Sequence, residues 1–286
     1  MSGPGGDEAG ARPGSGAGDG PPVGRPASDG AYTFGDSDLA ARRLALVAAT
    51  FAKTTRQFLL TRAGAPPAFA IDLGCGPGYT TELIRATVGP GRVLAVDVSP
   101  AFVAAAARRL ADDRTRMLCA DALDLPLEVT DADLIFARML LTHLRDPLAA
   151  IEVWRGRLSA RGRLLLEEVD SIATEDPTLA GYLDLQREML AANGHTLDIG
   201  PRLDEALREH PALRSSTVAE LSPPAAVAAR MFAMNLETWR ERPEVTAAHE
   251  PAELNALAAA LERIAQGGES APITWRLRHL VLTAGG

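Results

Sequence analysis

Ile71 to Gly78, IDLGCGPG, constrain this chain more than any other segment: an apolar run ends on an acid and passes into three glycines spaced by single residues. Glycine reaches positive φ without a steric penalty and carries no Cβ, so the backbone there can turn sharply and a ligand can approach it closely. The flanks supply the right context. Ala68 to Leu73 (AFAIDL) predicts a short buried strand and Thr80 to Val88 (TTELIRATV) a helix, the strand-turn-helix frame without which such a motif carries little weight. A second strand, Arg92 to Val96, ends on Asp97, about twenty residues past the loop, where a carboxylate can take both hydroxyls of a ribose. This is a nucleotide-type binding turn.

The spacing also bears on the ligand. In a dinucleotide fingerprint, G-x-G-x-x-G, the third glycine lets the helix lie close to the pyrophosphate. Here that position is Tyr79, whose bulk disfavours a pyrophosphate but tolerates a ligand with a nucleoside at one end and an amino acid at the other. Taken together, IDLGCGPG, the acid of LAVDVS and the later CADALDLP resemble the class I S-adenosylmethionine-dependent methyltransferases, in that family's motif order, over residues 68 to 170 and more loosely 32 to 283.

The resemblance implies a cofactor site at Gly74, Cys75, Gly76 and Gly78, with Asp97 on the ribose, Val98 beside it, and Asp121 and Ala122 at the adenine. Asp121 can equally be read as a turn-forming residue. Asp72 is expected to order the loop rather than touch the reacting centre. Arg138 and Met139, after the fourth strand, would face the methionine part, and Tyr32 and Arg56 are weaker contacts to its carboxylate. The cofactor implied is S-adenosylmethionine.

Composition narrows the partners. A chain of 286 residues, 47% apolar, can bury a full core. A net charge of −8 argues against binding a polyanion by bulk electrostatics, so a small-molecule acceptor is expected, with no nucleic acid and no membrane; a homodimer is compatible with the sequence. One lysine, Lys53, stands against 28 arginines, a mark of GC-rich coding rather than of chemistry. Cys75 and Cys119 fall on strands two apart in the expected sheet, about 9–10 Å from each other, too far for a disulfide, so a reducing cytoplasm fits. No apolar stretch reaches membrane-spanning length, and the N-terminus lacks a secretory profile.

Residues 1–30 hold ten of the 26 glycines and five of the 20 prolines, which predicts a disordered tail. Residues 31–62 predict an N-terminal helical cap: Asp36 and Ser37 can cap it, and Leu44, Phe51 and Phe58 recur at intervals of seven. From 63 to 286 the expected unit is the cofactor-binding domain. Its alternating strands and helices predict a doubly wound, mostly parallel α/β fold, and the resemblance gives the seven strands the order 3-2-1-4-5-7-6. Further strands are expected at Arg116–Cys119, Asp133–Ala137, Arg163–Val169, Ser215–Leu221 and Ile273–Leu282. Segments of about 171–212 and 224–270 read as helical and as cap or lid, the second as two helices inserted between the last two strands.

Methyl transfer from a sulfonium needs alignment, desolvation and a deprotonated nucleophile. A base is required only for a protonated hydroxyl, phenol or amine. His195, His143 and Glu168 are the candidates: His195 on a loop of the cap, His143 expected to open a helix, and Glu168 at the end of the fifth strand. No metal-ligand spacing and no G-x-S-x-G elbow occurs. The function read from the sequence is O- or N-methylation of a small molecule, plausibly a secondary metabolite. Its alternatives are a cofactor-binding protein that transfers no methyl group, a nicotinamide-dependent oxidoreductase, and an RNA methyltransferase.

Overall fold

The structure, a computed structural model, describes residues 1, 3, 37–110 and 112–285. The tail expected over 1–30 (apart from residues 1 and 3) and the expected contact at Tyr32 lie outside the described residues. Seven strands form one sheet in the order β3-β2-β1-β4-β5-β7-β6. They are β1 (Phe69–Leu73), β2 (Arg92–Asp97), β3 (Thr115–Cys119), β4 (Ala132–Arg138), β5 (Leu158–Thr174), β6 (Leu213–Leu221) and β7 (Ile273–Thr283). β1 to β5 run parallel, while β7 lies antiparallel between β5 and β6. The expected fold and strand order are thus observed. β1 is buried at all five positions, as a central strand covered on both faces must be.

The helices start where their caps permit. α1 (Asp38–Arg62) is capped by Ser37, whose hydroxyl accepts from the Ala40 N–H, and its buried stripe includes Phe51, Phe58 and Leu59. α2 (Tyr79–Val88) begins directly at the glycine loop, and α3 (Pro100–Leu110) opens on a proline. α4 (Pro147–Arg155) and α5 (Pro177–Ala192) each combine an aspartate cap, Asp146 or Asp176, with proline in the first position. α6 (Gly200–Leu207) precedes β6; α7 (Ala225–Trp239), the four-residue α8 (Pro243–Thr246) and α9 (Pro251–Ala265) fill the β6–β7 connection. The two helices expected there are three, because Pro243 and Pro251 each restart the chain after a turn.

β5 is the main departure from the sequence reading. Expected to end at Val169, it continues to Thr174, because β7 pairs with it from Arg163 to Thr174 across an irregularity at Asp170. Arg278 of β7 binds the Asp170 carboxylate through Nε (2.9 Å) and Nη2 (2.7 Å) and reaches Asp204 of α6 at 3.2 Å, so the irregular point is pinned from both sides. The extended part of β5 carries the core shared by α1, α5, α7 and α9. There Phe51, Tyr182, Phe232, Trp239 and Trp275 pack together, with Tyr182 stacked on Phe232 at 4.1 Å between ring centroids. Among the described residues no helix is long and apolar enough to cross a membrane.

Candidate active site

Gly74, Gly76 and Gly78 all take positive φ (65°, 52° and 86°), so the turn that the motif predicts is built as expected. Each glycine has its own reason. A Cβ at Gly74 would stand 3.1 Å from Leu140, and one at Gly78 2.9 Å from Leu110 and 3.0 Å from the Ala106 Cβ, whereas one at Gly76 would meet only Leu44 of α1, at 3.5 Å. Gly74 and Gly78 therefore serve packing, and Gly76 is the open face of the loop.

The loop is held by its neighbours. Cys75 donates its N–H to the Val96 carbonyl (2.9 Å), and Gly76 donates to Asp97 Oδ2 (2.8 Å). The other Asp97 oxygen accepts from the Ser99 N–H at 2.9 Å. Asp97 thus fixes the loop to the end of β2 while its carboxylate keeps partial exposure. Asp72 acts as expected, one oxygen accepting from the hydroxyls of Thr80 (2.7 Å) and Thr81 (2.6 Å) and so clamping the start of α2 to β1. Burial pushes its pKa up to about 6, against the pull of those two hydrogen bonds and of Arg138. Its second oxygen is enclosed without a hydrogen-bond partner. Burial likewise raises the Cys75 thiol, which is not the reactive kind.

On the next strand Cys119 is paired in register with Asp97, which brings Asp121 close to it. Asp121 Oδ1 accepts from the Leu123 N–H (2.9 Å), so the turn reading of this residue is realised; the Ala122 carbonyl is taken by the Trp154 indole N–H (2.9 Å). Val98 and Leu123 expose 43% and 38% of their surface on this edge. Tyr79 lies beneath the Arg109 guanidinium, 4.0 Å from ring centroid to Cζ, so its ring is occupied by α3.

After β4 the chain turns through Met139 at φ 51°, a conformation costing a non-glycine residue about 1–3 kcal/mol, which tends to be retained where a loop must be aimed. Glu168 holds that turn: its Oε1 accepts from the N–H groups of Leu140 and Leu141, both at 2.9 Å. This corrects the expectation for Glu168. Fully buried, with a pKa pushed up to about 8 chiefly by desolvation, it carries its proton at neutral pH and positions the loop rather than acting as a base.

His143 does not open a helix. It closes a single 3₁₀ turn, Leu141–His143, ahead of α4. That turn is tied to the loop after α5 by the Thr142 hydroxyl, which donates to the carbonyls of Thr196 (2.5 Å) and Leu197 (3.2 Å). His143 and His195, 52 positions apart, are thereby brought to 6.4 Å between ring centroids, edge to face. Burial, then the nearby His195 and Arg43, drives His143 down to about 3; His195 is lowered by burial and by Arg145. Both rings are neutral at pH 7, and His195, less enclosed, is the better proton acceptor.

Two features escaped the sequence reading. Arg56 is exposed, and the inward polar residues of α1 are instead Arg43 and Thr55. They lie on the row Arg43, Val47, Phe51, Thr55, Leu59, where polar residues at i, i+4 spacing on an apolar stripe were the available signal. Thr55 donates to Glu167 Oε1 (2.7 Å) and accepts from Arg138 (3.3 Å), while Glu167 Oε2 meets His279 at 2.8 Å. The Arg138 guanidinium is held within this buried chain, its pKa lowered by desolvation despite the nearby Glu167 and Asp72.

Residues 71–166 match the profile of a family described as the methyltransferase domain. The chain is thus similar to that domain over about a third of its length. It is 38% identical over 112 residues to a trans-aconitate 2-methyltransferase of Methylobacterium radiotolerans, covering 39% of this chain and 41% of that one. It is 32% identical over 107 residues to a malonyl-[acyl-carrier protein] O-methyltransferase of Anoxybacillus flavithermus, 37% of this chain and 41% of that one. The matches thus span about two fifths of these relatives' length. Beyond residues 71–166 the fold is shared with a presumed methyltransferase from Bacillus halodurans C-125, at a TM-score of 0.56 and 14% identity, over 82% of this chain and all of that one. The residues present fit S-adenosylmethionine, the cofactor that the sequence resemblance implies. Gly76 offers an open backbone cradle, Asp97 a carboxylate at the end of β2, and Asp72 an enclosed oxygen awaiting a donor.

Proposed function

We propose that this chain transfers a methyl group from S-adenosylmethionine to a small-molecule acceptor at oxygen or nitrogen. The observation that carries the reading is the joint between Gly76 and Asp97, which sets an open glycine backbone and a carboxylate side by side at the carboxyl ends of adjacent strands. Open α/β sheets bind their ligands there.

When bound, the cofactor supplies an electrophilic methyl group on a positively charged sulfur. The chain's residues do the rest. Asp97 holds the ribose and keeps the 74–78 loop in place; the unpartnered oxygen of Asp72 receives an ammonium donor; Val98 and Leu123 cover the base. The loop from Met139 to Leu141, fixed by Glu168, borders the reacting end, and α1, α5 and the α7–α9 insertion roof the acceptor space and exclude water. His195 takes the proton when the acceptor is a hydroxyl or amine. Relatives named for trans-aconitate and malonyl-[acyl-carrier protein] favour an acceptor that carries a carboxylate, and the cationic neighbours of the histidine pair, Arg43 and Arg145, suit one.

The test is calorimetric titration with S-adenosylhomocysteine. Asp97→Ala removes the acceptor of two hydroxyls and also the anchor of Gly76, and a charge-assisted hydrogen bond is worth about 1.5–3 kcal/mol, so affinity should fall at least about tenfold. Unchanged binding would refute the site. Methyl transfer to bulk RNA, with none to small carboxylates, phenols or amines, would refute the acceptor class.

A further inference from the structure

Far from the strand ends that hold the cofactor site, a cavity of about 280 Å³ opens between the last turn of α1 and the β5–β7–β6 edge. Its lining is Thr61, Arg62, Arg163, Arg214, Ser215, Val281 and Thr283. Three guanidinium groups and three hydroxyls share this space, and no carboxylate does. Among the described residues none of Arg62, Arg163 and Arg214 pairs with an aspartate or glutamate, although the protein as a whole carries a net charge of −8.

Part of two of the forks is used structurally, and part is left over. Arg163 donates one nitrogen to the Arg62 carbonyl (2.6 Å), stopping the C-terminal end of α1, and packs beneath Gly64. Arg214 donates to the carbonyls of Pro211 (2.7 Å) and Gly285 (3.2 Å). Both keep further N–H donors, and Arg62 has all of its own. Like charges gathered round one cavity repel, and a dianion between them removes that repulsion while satisfying the forks in pairs, the geometry guanidinium offers to phosphate.

Size limits what enters. The cavity lies just below the range of about 300–1,000 Å³ that takes a whole drug-sized ligand, so it suits a head group. A second cavity of about 140 Å³ continues from it, sharing Thr61 and Arg62 and lined further on by Phe58, Thr217, Ala219 and His279, with Phe58 stacked on His279 at 4.1 Å. We infer that this groove is an anion site for a phosphate monoester, the phosphate seated among Arg62, Arg163 and Arg214 and the organic part lying along Phe58 and His279. Its ligand ties the end of α1 to β5 and β6. Since α1 also carries Leu44 against Gly76 and Thr55 against Arg138, occupancy stiffens the helix that borders the cofactor loop.

The site stands or falls separately from the methyltransferase reading. Thermal unfolding of the full chain is followed in inorganic phosphate and in phenyl phosphate, each against chloride of equal ionic strength. A ligand at about a hundred times its Kd should raise Tm by about 5 °C, and phenyl phosphate should reach that shift at lower concentration than inorganic phosphate. Two variants follow: Arg62→Gln/Arg214→Gln, and Ser215→Glu, which places a carboxylate in the cavity. Both should lose the phosphate response and keep S-adenosylhomocysteine affinity, which also shows that they are folded. A shift retained in either variant, or a wild-type shift no larger than that from chloride, would overturn the assignment. Equal potency of the two phosphates would overturn the placing of the organic part.

Discussion

Residues 71–166 and residues 167–285 build one sheet under different constraints. In the first stretch backbone geometry is dictated by what it must hold: three positive-φ glycines, two of them with no room for a Cβ, and acids that bind backbone N–H groups. In the second, side chains chiefly cover and fill. The core under α5, α7 and α9 is aromatic and interlocked, and its glycines answer to turns and packing: Gly194 and Gly267 take positive φ, Gly200 lies against Asp170 and Arg278, and a Cβ at Gly181 would meet nothing within 4 Å. Ligand-bearing backbone admits few sequences, whereas a roof admits many that share size and polarity. The family profile accordingly ends at 166.

The sharpest test of this division is catalytic. If the first half holds the cofactor and the second provides the base, His195→Ala should lower kcat by about 10²–10⁴ while S-adenosylhomocysteine affinity is kept. His143→Ala should act mainly on stability, because its ring is already too acidic to accept a proton well at neutral pH. Steady-state kinetics across pH 6–9 with both variants near wild type would instead mean an acceptor that arrives deprotonated, such as a carboxylate.

Substituting glycines compares the halves directly. Gly78→Ala puts a Cβ against Leu110 and Ala106 at φ 86°; backbone strain and overpacking, at about 1–3 kcal/mol each, should together remove about 2–6 kcal/mol of stability in urea unfolding. Gly181→Ala, in the open middle of α5, should add about 0.5–1 kcal/mol. Similar losses at both positions would abolish the distinction.

A pH-dependent effect sits at the seam. Folded Glu168 keeps its proton to about pH 8, whereas in the unfolded chain it gives it up near 4.5, so the folded state binds more protons across that window and stability falls as pH rises through it. His143 works the other way, adding stability from pH 3 to 6.5, and the opposing slope from Asp72 ends near pH 6. Between pH 6.5 and 8 Glu168 alone of these three remains, which at about 1.4 kcal/mol per unit predicts a loss of about 2 kcal/mol. Glu168→Gln should flatten that slope; an unchanged slope would show that Glu168 is ionised in the folded protein.

How much of this was legible follows the same division. The strand-loop-helix around Gly74–Gly78, the acid at Asp97 and the strand spacing could be read from residues because local backbone chemistry and short-range periodicity encode them. The parallel ladder from β1 to β4 ran close to its expected bounds. The real extent of β5 could not be read, since pairing with β7, more than a hundred positions away, sets it. Nor could the job of Glu168: strand alternation gave its face but not the two N–H groups waiting there. The meeting of His143 with His195 depends on one hydroxyl, Thr142, spanning two loops.

Because β5 runs as one strand from Leu158 to Thr174, Leu166, where the family profile stops, lies inside a strand and not in a linker. A fragment ending there would keep every glycine of the loop and still be a poor protein. It would lose the segment that β7 grips from Glu167 onward and leave β5 as a bare sheet edge open to any passing strand. The recognisable part of this chain is therefore not a separable part, and evolutionary exchange of the roof must graft onto a strand already in place.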